Sequence, residues 1–269
     1  MEARYLYCIF DGNAPVSIIA GAVGNAEEPV YLLEEGGLGL VLSKCDPDRC
    51  PVNRVNLLGH QTIMEQAMAS STVLPIRFGT LAKADDSPAV EELIRSRLLR
   101  ARSEELHDLL NEMRGKQEMS LKVLWRDVNA AVKAIAESDP DIRRLRSKIT
   151  GKSEAATRPD RIRLGTIVEE RLHQARDRHA QRLLAVLNPL VARTTIHQDL
   201  GDRMLLNAAF LMETARREAF EEILESLIKE SPDFAFKYVG PMPPCSFVDL
   251  VISWDEPKKR ERGMSRVSG

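Results

Sequence analysis

The most constraining pattern in this chain runs from Arg161 to Leu190. Leu164, Val168, Leu172, Ala175, His179, Leu183, Val186 and Leu190 recur at alternating four- and three-residue steps. That spacing lays one apolar seam along a long helix, close to a heptad period. Such a seam needs cover, from a sheet or from a partner helix. The neighbouring segments supply strands. Ser120–Trp125 reads as a strand and Asp127–Ala136 as a helix. Strand signals come after the long helix at Val191–His197 and Leu205–Met212, then a helix at Thr214–Lys229 with Pro232 beyond its end. The last strand region is Phe234–Ser253. From Ser120 onward the order is therefore β, α, β, β, α, β, the split βαβ or ferredoxin-like order. Residues 138–160 are polar, with Gly151 and two prolines, and read as a connector.

The N-terminal part is also mixed. Tyr5–Phe10 is rich in aromatic and branched residues and reads as a strand. Val30–Cys45 holds two apolar runs around Glu34-Glu35-Gly36-Gly37, the pattern of a hairpin. Val55, Leu58, Thr62, Met64, Glu65 and Met68 suggest a helix, and Thr72–Leu81 a strand in which Pro75 belongs at an edge or bulge. Ser87-Pro88 is a good helix start, and that helix is expected to run to about Gly115 with Val90, Ile94, Leu98, Ala101, Leu109 and Met113 as its stripe. The fold class is α+β in two domains. Residues 1–118 form a mixed α+β domain, 119–254 a ferredoxin-like domain with a long helix, and 255–269 a charged disordered tail.

Charge and composition narrow the functions. Lys and Arg number 38 against 40 Asp and Glu, so there is no basic excess for a nucleic-acid partner. Aromatic residues are 5%, too few for a base-stacking surface. No run approaches the roughly 18 apolar residues that cross a bilayer. The apolar run Tyr5–Phe10 is followed by Asp11 and is too short for a secretory core of about 7–15 residues. The expected compartment is the cytosol, and neither nucleic acid nor a lipid membrane is an expected partner. Cys8, Cys45, Cys50 and Cys245 are too few to staple 269 residues and are read as reduced thiols, with Cys45 and Cys50 flanking a turn.

Each chemical motif has a plainer reading. Glu104–His107 and Glu170–His173 are Glu-x-x-His pairs of the kind that bind iron in helical bundles. Rotated at about 100° per residue, both pairs fall away from the apolar stripes and face solvent. His179 lies on the seam and reads as a packing residue; His60 and His197 have no neighbouring ligand cluster. Gly36-Gly37-Leu38-Gly39 fails the dinucleotide pattern, because Leu42 stands where the third glycine belongs. The cluster Arg143, Arg144, Arg146, Lys148, Lys152 and Arg158 is diluted by acidic neighbours and is read as solvated. No metal, cofactor or catalytic constellation is expected. Arg77, amid Leu74, Pro75, Ile76 and Phe78, is expected to pair with a buried carboxylate, with a partner contact as the alternative.

Three stretches together carry a family resemblance: Val55–Leu81, with Leu-Pro-Ile-Arg-Phe-Gly; Ser120–Trp125; and Tyr238-Val239-Gly240-Pro241-Met242-Pro243-Pro244 before a final strand Ser246–Ile252. The chain resembles the GvpF/GvpL family of gas vesicle accessory proteins over about residues 5 to 254. The family's second-domain strand carries a Gly-Val-Lys-Val core, of which Ser120-Leu121-Lys122-Val123 keeps part. The resemblance implies a non-enzymatic assembly factor or minor shell component, cytosolic and at the gas vesicle. Its implied partners are the major, very hydrophobic gas vesicle shell protein and other accessory proteins. Pro75, Arg77, Phe78, Gly79, Gly240, Pro241 and Pro244 are the candidate motif or partner-contact residues, and a sheet edge or apolar groove is the expected contact. The rival readings are an enzyme or small-ligand binder on a ferredoxin-like scaffold, and a nucleic-acid-binding module.

Overall fold

The computed structural model describes residues 2–46, 50–84, 87–198, 201 and 203–254. The expectations for residues 47–49, for capping by the side chains of Ser87 and Pro88, and for the tail 255–269 fall outside the described residues. The described chain divides into two compact units, one of residues 2–112 with 249–254 and the other of residues 113–248. The division thus falls at 112/113 rather than 118/119, and the chain's last described stretch folds with the first unit.

In the first unit, β1 (Glu2–Asp11) runs through the middle of a sheet ordered β2 (Val30–Glu35), β3 (Leu38–Lys44), β1, β4 (Val73–Pro75). A fifth strand, β5 (Leu81–Ala84), also pairs with β1. All pairings are antiparallel. Ala3 through Phe10 are buried without alternation, as a strand covered on both faces requires. The β2–β3 turn is Gly36-Gly37, both at positive φ (59° and 80°), the conformation that a two-residue hairpin turn demands. Pro75 ends β4 opposite Cys8, on the sheet's edge, as its missing N–H predicts.

Helix α1 (Arg54–Met68) is capped by Asn53, whose side chain accepts from the Asn56 N–H. Its buried face is Asn56, His60, Ile63, Met64 and Ala67, which keeps Met64 of the expected stripe, with Met68 half-buried against the core. Val55, Leu58 and Thr62 point outward, because a histidine and an asparagine take the inward positions of the first two turns. The single helix expected from Pro88 to Gly115 is interrupted. It comprises α2 (Ser87–Ile94), a π-helical stretch over Arg95–Arg100 and α3 (Ser103–Met113). A π turn inserts one extra residue and rotates the rest of the helix by about 100°. Leu98 and Leu99 are therefore both buried, and Leu106, Leu110 and Met113 carry the stripe onward in place of Ala101 and Leu109.

The second unit has the ferredoxin-like order. Strand β6 (Lys116–Trp125) leads to α4 (Val128–Ser138), α5 (Pro140–Ile149) and α6 (Glu154–Leu187). The chain continues through β7 (Arg193–Ile196), β8 (Met204–Glu213), α7 (Arg217–Glu230) and β9 (Phe234–Met242). The antiparallel sheet is ordered β7-β8-β6-β9, with Leu121 opposite Ala208 on one side and Tyr238 on the other. Met119, Leu121, Val123, Phe210 and Met212 from the sheet pack with Leu183 and Leu187 of α6 and with Phe220 and Leu224 of α7. The seam is thus covered by the sheet at its C-terminal end and by α4 and α5 along the rest, except that Val186 is exposed and Leu187 takes its inward place.

Residues 138–160 are mostly helical rather than a connector: α5 occupies Pro140–Ile149, and α6 already begins at Glu154 after a short turn. Asp139 accepts from the Asp141 and Ile142 amides, Pro140 occupies the first turn, and Ile142, Leu145 and Ile149 form a buried stripe. The dense surrounding charge hid that stripe. The expected last strand Ser246–Ile252 also does not form. Pro243 and Pro244 lack ladder donors, and the Phe247 and Val248 amides turn back to the Pro244 carbonyl.

Candidate functional site

In the first unit the Leu-Pro-Ile-Arg-Phe-Gly segment closes over β1 and α1. The His60 Nε2 lies 3.0 Å from the Ile76 carbonyl, which can only accept, so Nε2 carries the hydrogen. Nδ1 is then the acceptor for the Tyr5 hydroxyl, 3.1 Å away. The Tyr5 oxygen in turn accepts from the Gly79 N–H at 2.9 Å. Phe78 stands edge-on to both rings, with centroids 5.9 Å from Tyr5 and 5.6 Å from His60. Tyr7 lies tilted beside Tyr5 and His60, shares a hydrogen bond with Ser43 and accepts from the Val23 amide. Burial pushes the His60 imidazole down to about 4, only partly opposed by the Ile76 carbonyl, so the ring is neutral at pH 7. Burial raises both tyrosines, Tyr7 to about 12. His60 matters as a hub of this network, and its place on the helix face opposite Val55 and Leu58 was the available signal.

Arg77 does not pair with a buried carboxylate. Its side chain is 71% exposed and pairs with Asp249, which is 73% exposed. The apolar neighbours Leu74, Pro75 and Ile76 are buried, while Arg77 points outward between them and Phe78. Asp249 belongs to the returning stretch, which is further held by Arg102 donating to the Val251 carbonyl and by the Trp254 indole donating to the Leu81 carbonyl, each at 2.7 Å.

In the second unit, Gly240 and Pro241 form the bulge in β9. The register against β6 jumps from Ser120–Val239 to Glu118–Met242, and the Gly240–Pro241 bond is cis. A Cβ on Gly240 would lie 2.6 Å from the Met119 sulfur and 3.0 Å from the Glu118 carbonyl oxygen, at a φ of 145°. Only glycine fits. Pro244 is buried and starts the turn that presents Ser246. The buried Glu118 carboxylate accepts from the Ser246 N–H and hydroxyl, both at 2.7 Å, and the hydroxyl also lies 3.2 Å from His197 Nε2. Burial raises the Glu118 carboxyl, opposed by those two bonds. Here the serine stands between the carboxylate and the imidazole. A nucleophilic triad needs the imidazole in the middle. The cluster therefore anchors a loop.

Neither Glu-x-x-His pair is a ligand pair. His107 is half-buried, because of the rotated phase of α3, and its Nδ1 donates to the Ser103 carbonyl at 2.7 Å. Glu104, Glu170 and His173 are exposed. Among the described residues no group of three or more His, Cys, Asp or Glu side chains is placed to hold a metal ion. The Cys45 and Cys50 sulfurs lie side by side as free thiols, and burial with the neighbouring sulfur raises Cys45. Gly36 and Gly37 form the hairpin turn and Gly39 lies in β3.

The outward stripe of α1 is the first unit's most evident open surface. Val55 is 78% exposed, as is Val52 just before the helix, and Leu57 and Leu58 are about half exposed. Ile19, 88% exposed, belongs to a loop held on α1 by Gln66, whose side-chain oxygen accepts from the Ile19 and Ala20 amides. Residues 21–26, 53–56 and 59 line a cleft of about 700 Å³ that reaches Val55. Scattered exposed apolar residues are ordinary, but a contiguous stripe on one helix marks an interaction site. No helix among the described residues is long and apolar enough to cross a membrane.

Comparison with known proteins agrees with this architecture. Residues 3–249 match the family model of gas vesicle synthesis protein GvpL/GvpF. Gas vesicle protein F of Dolichospermum flosaquae is 26% identical over 91% of this chain and 97% of its own length. Gas vesicle protein L1 of Halobacterium salinarum is 27% identical over 91% and 90%. The crystal structure of the gas vesicle protein GvpF from an Anabaena species superposes with a TM-score of 0.80 at 25% identity, over 94% of this chain and all of that one. With the family match spanning both units, this chain belongs to the GvpL/GvpF family of gas vesicle synthesis proteins.

Proposed function

We propose that this chain is a non-enzymatic accessory protein of gas vesicle formation, acting in the cytosol and at the vesicle. It binds the hydrophobic shell subunit through the outward face of α1 in the first unit. The observation that carries the reading is the open pair Val55 and Leu58 on a helix whose other face is buried, with Val52 exposed just before the helix and Ile19 exposed on the loop held by Gln66. An apolar subunit has strands or helices that need cover before assembly, and a helix face with an adjoining cleft offers a helix-in-groove mode of binding. The serine, histidine and carboxylate of the second unit lack the order a nucleophilic mechanism needs, which supports a binding role over an acyl-transfer one. The experiment is capture of the purified shell subunit by the full chain carrying Val55→Asp with Leu58→Asp. Both positions are exposed, so circular dichroism should match the parent while capture falls at least tenfold. Undiminished capture by the doubly substituted, folded chain would overturn the assignment of this face.

A further inference from the structure

The second unit contains a pocket that the gas vesicle reading does not use. It opens between α4, α6 and the C-terminal end of β6, with a volume of about 690 Å³. That is within the range of small-molecule sites. Ala130, Ala131 and Ala134 of α4 face Ala175 of α6 across it, and these small side chains keep the two helices from filling the gap between them. Trp125 lines it. The Trp125 ring is set edge-on to His179 and Phe234, with centroids 5.4 and 5.0 Å away.

Two observations give this pocket a chemistry. Trp125 is 7% exposed, and its indole Nε1 is buried with no hydrogen-bond partner among the described residues. Buried donors are almost always paired, so an unpaired one beside an open pocket points to an acceptor supplied from outside. At the rim, Arg178 has no ion-pair partner among the described residues, whereas the Asp127 carboxylate is committed to the Asn129 and Ala130 amides. Asp233 is the remaining rim carboxylate. His179 is held down by burial, then by Arg178 and Arg182, so it adds no positive charge of its own at pH 7.

We infer that this pocket binds a small organic anion, with an aromatic or aliphatic body between the alanines and a carboxylate or sulfonate that meets the Trp125 N–H and Arg178. The body is selected by apolar walls, and the anionic end by a buried donor without a hydrogen-bond partner and a cation without an ion-pair partner among the described residues. This inference is independent of the α1 face and survives or fails separately from it.

The test uses 8-anilinonaphthalene-1-sulfonate and its uncharged counterpart N-phenyl-1-naphthylamine, which lacks the sulfonate. The chain has two tryptophans, so its nitrogen-15 spectrum has two indole N–H signals, and Trp254→Phe assigns the one from Trp125. The sulfonate probe should move the Trp125 signal saturably with one site per chain. The uncharged probe should bind about tenfold more weakly at this signal, and Arg178→Ala, at an exposed position, should weaken the sulfonate by about the same factor. Ala134→Phe, with its fold checked by circular dichroism, should abolish the effect. Because the signal belongs to Trp125, dye bound on the α1 face does not enter the reading. A Trp125 signal unmoved at millimolar sulfonate probe would overturn the site. Equal binding of the two probes would overturn the anion assignment.

Discussion

Protonation of His60 should weaken the first unit more than any other event between pH 7 and pH 4.5. The imidazole is 5% exposed and sits between a donor, the Tyr5 hydroxyl, and an acceptor, the Ile76 carbonyl. A second proton on Nδ1 leaves the Tyr5 hydrogen with no acceptor in a closed aromatic cluster, and it places a charge there. The folded ring therefore titrates at about 4, against an ordinary value of 6.5. For a base held neutral, the unfolded chain takes the proton first. Stability is then complete above about 6.5 and falls as the pH drops toward 4. The full difference corresponds to about 3.4 kcal/mol, of which about 2.4 kcal/mol is lost by pH 4.5. His60→Gln removes the titration while keeping a donor and an acceptor. It should cost about 1–2 kcal/mol at pH 7 through lost ring contacts and bent hydrogen bonds. Urea unfolding followed by Trp254 fluorescence in a Trp125→Phe background reads the first unit alone, since Trp254 is held against Leu81 there. Between pH 7 and 4.5 the parent should lose about 2 kcal/mol more than the His60→Gln chain. Parallel acid dependence in the two chains would refute the neutral-imidazole reading.

Two further substitutions test the family motifs. Gly240→Ala should lower the second unit's stability by about 2–3 kcal/mol, because its Cβ meets the Met119 sulfur and the Glu118 carbonyl and the backbone is at positive φ; thermal unfolding followed by Trp125 fluorescence measures this. Arg77→Ala should cost no more than about 0.5 kcal/mol in urea unfolding, because its ion pair with Asp249 is open to solvent; a loss above about 2 kcal/mol would mean that Arg77 has a buried partner after all.

Much of the fold is legible in the sequence because several signals agree. In the second unit the strand–helix order, the long seam and the turn residues all point to one topology, and the sheet is ordered β7-β8-β6-β9 accordingly. The errors have physical causes. α5 is hidden by charge, because only Ile142, Leu145 and Ile149 of its ten residues are buried. The stripe of α3 is misphased because a π turn cannot be read from a 3.6-residue period. The last strand fails because its alternation promises a ladder that Pro243 and Pro244 cannot join. The site is less legible than the fold. In the first two turns of α1 the inward positions are polar, Asn56 and His60, and Val55 and Leu58 face outward, while Ile63, Met64 and Ala67 keep the inward face apolar further on. A helix whose first turns put a histidine toward the core and valine and leucine toward water is the reverse of what periodicity assumes.

That inversion bears on where a partner would bind. Of the motif residues with side chains, Pro75 and Pro244 are buried, Phe78 and Pro241 are half-buried, and Arg77 alone is exposed. Gly79 gives its amide to Tyr5, and Gly240 occupies a bulge no other residue fits. These positions are explained by the packing of each unit, so a pattern built on them marks the fold whether or not a partner touches it. A contact surface has a different signature: apolar side chains held open at a cost in solvation, on an element that could have carried polar ones. The α1 face has that signature and the motifs do not. Tyr5→Phe provides the contrast with Val55→Asp. Removing the Tyr5 hydroxyl leaves the Gly79 amide and His60 Nδ1 unpaired, so it lowers stability and reaches binding only through unfolding. If the α1 face is the contact proposed above, a charge at Val55 should lower binding without lowering stability, because that side chain makes no part of the core.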